Sequence, residues 1–124
     1  MPKIKILFNI INTIFIIFYI YPGSILGFLI YSDLNKQPQL TSDYFVSSNH
    51  VYAFMALSLL GLLAYYKKKK IFILNYLILS SIILEILHIV IPNRSFQYSD
   101  LFGNIVGVLL SFLLFNIYYF WRKK

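Results

Sequence analysis

Long apolar runs, interrupted only by small knots of positive charge, constrain this chain more than any motif in it. The knots are Lys3 with Lys5, Lys67 to Lys70, and Arg122 to Lys124, and almost everything between them is Ile, Leu, Phe, Tyr or Val. A soluble fold of this size covers only about 60–70% of the surface its unfolded chain exposes, so it has nowhere to hide such runs. Hydrophobic residues make up 60% of the 124 and charged ones 12%, against ~45–50% and ~25% in soluble domains. The bilayer is the second solvent such a chain requires. A soluble enzyme, a disordered tail and a disulfide scaffold are excluded, and with no cysteine so are thiol catalysis and a Cys-ligated metal.

The runs predict an all-α polytopic helical bundle, a single transmembrane domain over residues 1–124. Ile4 to Tyr21 forms the first span and ends at Pro22-Gly23. A signal peptide is the rival reading, but the first alanine is Ala53, so no A-x-A site follows the run and an uncleaved anchor is expected. Ser24 to Tyr31 is too short to cross; it is either a re-entrant or interfacial segment or a kinked extension of the first helix past Pro22. Residues 32–49 turn polar and form a loop. The second span begins near Ser47 to His50 and runs to Tyr66, the third covers Ile71 to Ile91 before Pro92, and the fourth covers Asp100 to Trp121. None alternates polar and apolar as barrel strands do, so helices are expected.

The basic residues set an orientation. With the N-terminus in the cytoplasm, nine of the eleven Lys and Arg flank the inner ends and only Lys36 and Arg94 lie outside, as the positive-inside rule requires of short loops. Four helices with both termini cytoplasmic follow. Tyr65, Tyr66, Tyr118, Tyr119 and Trp121 then fall at the inner ends, where an aromatic belt belongs. The net charge of +7 is thereby topological; no phosphate loop, zinc finger or RNA-binding motif accompanies it, and no nucleic-acid partner is expected.

In depth, the remaining ionisable groups gather on the outer side. His50 opens helix two, Glu85 and His88 lie one to two turns from the outer end of helix three, Arg94 is in the next loop, and Asp100 and Asn104 open helix four. Ser81, Glu85 and His88 share one helical face, as do Asp100, Asn104, Gly107 and Ser111, so two polar stripes can face each other. Glu85 is expected about 9 Å below its helix end. Each residue alone is explained as a structural pair or, for Asp100 and Asn104, as an N-cap; six together from three helices and a loop exceed what helix packing requires. By contrast Asn9, Asn12, Asn75 and Asn116 in the inner half read as interhelical hydrogen-bonding groups, and Gly103-x-x-x-Gly107 as a close-packing face within the chain.

The ordered string Ser47-Ser48-Asn49-His50, Tyr52-Ala53-Phe54, Gly61, Glu85, Pro92-x-Arg94-x-Phe96-x-x-x-Asp100-x-x-x-Asn104-x-x-Gly107 resembles the VanZ-like family of small bacterial integral membrane proteins. The resemblance covers roughly residues 47 to 111 and singles out His50, Glu85, Arg94, Asp100 and Asn104. His88 stands where that family usually has Gln. The resemblance implies a multi-pass protein of the bacterial cytoplasmic membrane, in a family whose namesake is associated with resistance to the glycopeptide teicoplanin.

Two functions are expected from the cluster. In one, Arg94 and His50 hold a polar or anionic group of a membrane lipid, a lipid-linked molecule or a cell-wall ligand, oriented by Asp100 and Glu85. In the other, the protein is an intramembrane enzyme in which His50 and Glu85 act as acid and base, Asp100 orients His50 and Arg94 stabilises negative charge. Two His and two carboxylates are enough to hold zinc, but the H-E-x-x-H spacing is missing, and neither a metal nor a cofactor is expected.

Overall fold

A computed structural model describes residues 2–123. It contains α1 (Pro2–Ile20), α2 (Ile25–Tyr31), α3 (Ser48–Leu87) and α4 (Tyr98–Arg122), with no strand among the described residues. Three of them, α1, α3 and α4, are long and apolar enough to cross a membrane.

The element count differs from expectation because the second and third apolar runs are joined without a loop. At 40 residues a straight α3 would be about 60 Å long. It is bent double instead. Lys69 leaves the helical region (φ −142°, ψ 42°), and the two arms, 48–68 and 70–87, fold back until ligand atoms of His50 and Glu85 lie within 4.8 Å of each other. Neither Pro nor Gly marks the bend. Four consecutive lysines do, since like charges on one turn repel and all four seek the headgroup region.

The burial pattern is inverted relative to a soluble domain. Ile6, Ile10, Ile14 and Ile17 on α1 and Leu109, Leu113 and Ile117 on α4 are exposed, whereas Ser58, Ser81, Glu85, Asn104 and Ser111 are fully buried. An apolar exterior around polar contacts is stable only where the surroundings are apolar too. Along α1 the inward face is Phe8, Asn12, Phe15 and Tyr19. Phe8 closes edge-on against Tyr65 and Tyr76, and Asn12 donates to the Tyr76 hydroxyl. At the lysine-rich end, Tyr66 and Lys70 both donate to Asn116 Oδ1 (2.7 and 3.0 Å), and the Lys5 ammonium sits 5.2 Å from the centre of the Tyr65 ring. The start of α1, the bend and the end of α4 therefore share one end of the bundle.

The glycine face packs within the chain as expected. A Cβ on Gly107 would stand 2.5 Å from the Val51 carbonyl oxygen and 2.9 Å from the Met55 nitrogen, and Ser111 one turn on donates to the Met55 carbonyl at 3.0 Å. Small residues thus let the α4 backbone reach that of the 48–68 arm, which brings the start of α4 beside His50.

At the opposite end the chain turns at Gly23 (φ +128°), and α2 begins with Ser24 Oγ accepting from the Gly27 N–H at 2.9 Å. The segment 24–31 is thus a separate, capped helix and not a continuation of α1. Of the polar loop after it, Asp43 Oδ1 accepts the Ser48 N–H at 2.8 Å and Asn49 donates to the Pro38 carbonyl at 2.6 Å. The loop is stitched to the start of α3.

Two boundary expectations are corrected. The helix carrying Glu85 ends at Leu87, not Ile91, because His88 and Ile89 close three-residue turns onto Glu85 and Ile86. His88 is still αR and the Val90 and Ile91 N–H groups both turn back onto the Leu87 carbonyl, while Ile91, the residue before Pro92, is disfavoured from continuing the helix. Glu85 consequently sits in the last turn, about 3 Å from the helix end instead of about 9 Å. Nor is Asp100 or Asn104 the N-cap of α4: Gln97 is, without a side-chain cap bond, and Asp100 lies in the first turn.

Candidate functional site

Tyr19, which the sequence reading did not single out, is the hub of the site. Its hydroxyl donates to Asn104 Oδ1 at 3.0 Å and lies 2.9 Å from His50 Nδ1. Its ring stacks on that of His88 (5.7 Å, 12°) and meets His50 edge-on, and its carbonyl accepts from His88 Nε2 at 3.0 Å. A tyrosine near the end of an apolar run carries the signature of an interfacial belt residue, so nothing in the sequence separated it from Tyr21 or Tyr31.

Asn104 bridges three helices. Its Nδ2 donates to the Ser81 carbonyl at 3.1 Å, which leaves Oδ1 facing Tyr19 and, at 2.8 Å, His50 Nδ1. Of the two polar stripes, Asn104 meets Ser81 through this amide, whereas Gly107 and Ser111 turn to the 48–68 arm. An oxygen with no proton opposite His50 Nδ1 requires Nδ1 to carry the hydrogen, so the neutral His50 ring has its lone pair on Nε2. That Nε2 lies 3.5 Å from Asp100 Oδ2.

Glu85 and His88 form a second pair. Glu85 is fully buried; Oε1 accepts the Gln97 N–H at 3.1 Å, and Oε2 has no hydrogen-bond donor aimed at it beyond the His88 Nδ1 contact at 3.2 Å. Because His88 Nε2 must donate to the Tyr19 carbonyl, the Nδ1 to Oε2 contact is attractive only when one proton is present between His88 and Glu85.

Arg94 is placed differently. Its guanidinium donates to the Phe18 and Tyr21 carbonyls (2.9 and 3.1 Å), closing the C-terminal end of α1, where unsatisfied carbonyls and the helix dipole favour a cation. Burial pushes the Arg94 guanidinium down from its ordinary value, while the acidic groups of Tyr19, Glu85 and Asp100 oppose that. In the neighbouring loop Asp43 is held below the usual carboxylate range, chiefly by the Ser48 N–H.

His50, Glu85, Asp100 and Asn104 are thus brought together, with His88 against Glu85 and Arg94 at the rim. Between α1, α2 and the 48–68 arm lies a cavity of about 630 Å³. Its walls are Ile11, Ile14, Phe15 and Phe18 with Ile25 and Ala53, and one side presents Tyr19, His50, His88 and Arg94. Glu85 and Asp100 stand behind these, off the cavity wall. Compared with protein-family models, curated proteins and solved structures, the chain matches none.

Proposed function

We propose that the protein is a multi-pass membrane protein of the bacterial envelope, VanZ-like in kind, whose outer polar cluster binds the head of an amphipathic, lipid-linked ligand. The supporting observation is the cavity, in which hydrocarbon-lined walls end at Tyr19, His50, His88 and Arg94. An acyl or prenyl chain suits the walls, and a polar or anionic group suits the cationic rim. In this reading both arms of α3 cross the bilayer, giving four spans, with the lysine end in the cytoplasm and the cavity in the outer leaflet. A link to glycopeptide resistance of the teicoplanin type belongs to the same reading and rests on the motif resemblance.

Native mass spectrometry of the purified protein tests it. A co-purifying lipid or lipid-linked molecule is expected, and Ala53→Phe, which fills the cavity, should remove it. An empty wild-type protein, or equal occupancy in the variant, refutes the reading.

Intramembrane acid/base catalysis on a lipid-linked substrate is the second reading. Two His–carboxylate pairs around one tyrosine favour it. His50→Gln and Glu85→Gln should then abolish turnover in folded protein while ligand binding persists; a purely binding site tolerates Glu85→Gln.

A further inference from the structure

We infer that His50, Asp100 and Glu85 form a binding site for one divalent transition-metal ion, zinc in the first instance. Each offers a ligand atom, and the three atoms lie within 4.8 Å of one another. This goes beyond the ligand reading and does not depend on it, since the three groups face one another from the two arms of α3 and from α4.

Four features of the site converge on a metal. His50 Nε2 and Asp100 Oδ2 are 3.5 Å apart, too far for a charge-assisted hydrogen bond of ~2.7–2.9 Å. That separation is close to the ~3.4 Å edge of a tetrahedron with zinc bonds of ~2.0–2.2 Å. Second, the His50 ring is prepared as a ligand should be. Asn104 Oδ1 accepts the hydrogen bond from His50 Nδ1–H at 2.8 Å, and Asn104 is itself held by Ser81, so the Nε2 lone pair points towards Asp100; metal-ligating histidines are oriented by such a bond on the other nitrogen.

Third, Glu85 is fully buried and its Oε2 has no hydrogen-bond donor apart from the His88 Nδ1 contact at 3.2 Å, which this oxygen can exchange for a shared ion a short distance away. Fourth, two carboxylates brought together at the edge of a hydrocarbon region are costly, and a divalent cation between them relieves that cost in place of the proton shared by His88 and Glu85. One nitrogen and two oxygens suit zinc, with manganese as the harder-ligand competitor, and leave a position open for water or a ligand group.

The test uses the full chain, purified, stripped with a chelator and dialysed. Zinc is titrated in, and bound metal is counted after gel filtration. One ion per chain is expected. Asp100→Asn and Glu85→Gln should each weaken binding by about 100-fold, and Asn104→Ala by about 10–100-fold through the loss of ring orientation, while Asp43→Asn leaves it unchanged. A readout needing no variant is NMR of protein carrying 15N-labelled histidine, in which zinc should shift His50 Nε2 and leave the Nδ1 proton in place. A wild-type chain that retains no zinc, an unshifted His50, or carboxylate variants that are folded and bind as well as wild type would overturn the assignment.

Discussion

Removing the Asn104 amide should cost the bundle about 2 kcal/mol, and about a third of that should be shared with Tyr19. Asn104 makes three contacts from a fully buried position: Nδ2 to the Ser81 carbonyl, and Oδ1 to the Tyr19 hydroxyl and to His50 Nδ1. Interhelical hydrogen bonds in membrane proteins average about 0.6 kcal/mol, with a ceiling near 1.7, so three give about 2. The larger penalty of about 1–3 kcal/mol for each orphaned buried donor is avoided, because the Tyr19 hydroxyl and His50 Nδ1 are 2.9 Å apart and can pair when the amide is gone. Tyr19→Phe removes one of these contacts, to Asn104 Oδ1, together with the separate 2.9 Å contact to His50 Nδ1, and should cost about 1 kcal/mol. The assay is reversible unfolding in mixed detergent micelles, run as a double-mutant cycle over wild type, Asn104→Ala, Tyr19→Phe and the pair. A coupling of about 0.6 kcal/mol or more is expected. Additivity within about 0.3 kcal/mol, in folded variants, would show that these groups do not act as one network and would remove the basis for treating Tyr19 as the hub.

Four further outcomes follow from the same geometry. Gly107→Ala places a methyl 2.5 Å from the Val51 carbonyl oxygen, so α4 must move away from the 48–68 arm; a loss of about 1–3 kcal/mol in the same unfolding assay is expected. Arg94→Lys replaces a planar fork that holds two α1 carbonyls by a single ammonium, and hydrogen exchange at the Tyr21, Gly23 and Ser24 amides should accelerate about tenfold, the equivalent of about 1.5 kcal/mol. Because Asp43 has its pKa lowered on folding, its contribution is fully present above the unfolded value of about 3.9 and disappears as pH falls through the lower folded value; exchange at the Ser48 amide should rise in that acid window, and Asp43→Asn should show the rise already at neutral pH. Single cysteines at Lys69 and Leu40 in the otherwise cysteine-free chain should label from opposite sides of the membrane, and same-side labelling would refute the four-span arrangement.

Much of the site was legible in the sequence because depth in a bilayer is counted along the chain. Positive charge marks one end of every apolar run, and helical spacing then carries His50, Glu85, Asp100 and Asn104 to the other end, whichever way the helices pack. Residue spacing also put Ser81 and Glu85 on one face and Asn104 and Gly107 on another. What it did not carry was the role of Arg94, whose partners are backbone carbonyls of α1 and have no side-chain signature, or of Tyr19, whose chemistry is that of any interfacial tyrosine until a neighbour is placed beside its hydroxyl.

Composition and charge order alone therefore determined that the chain is an apolar helical bundle with a basic end and a polar, acid-bearing end, since the energy of burying a charge or exposing an isoleucine depends on the solvent and not on the fold. Tertiary structure decided the rest. The hairpin at Lys69 and the close approach at Gly107 set which side chains meet, to within a hydrogen bond's length. A contact of that kind depends on helix rotation and separation of a few ångströms, quantities to which a one-dimensional pattern of apolar residues is blind.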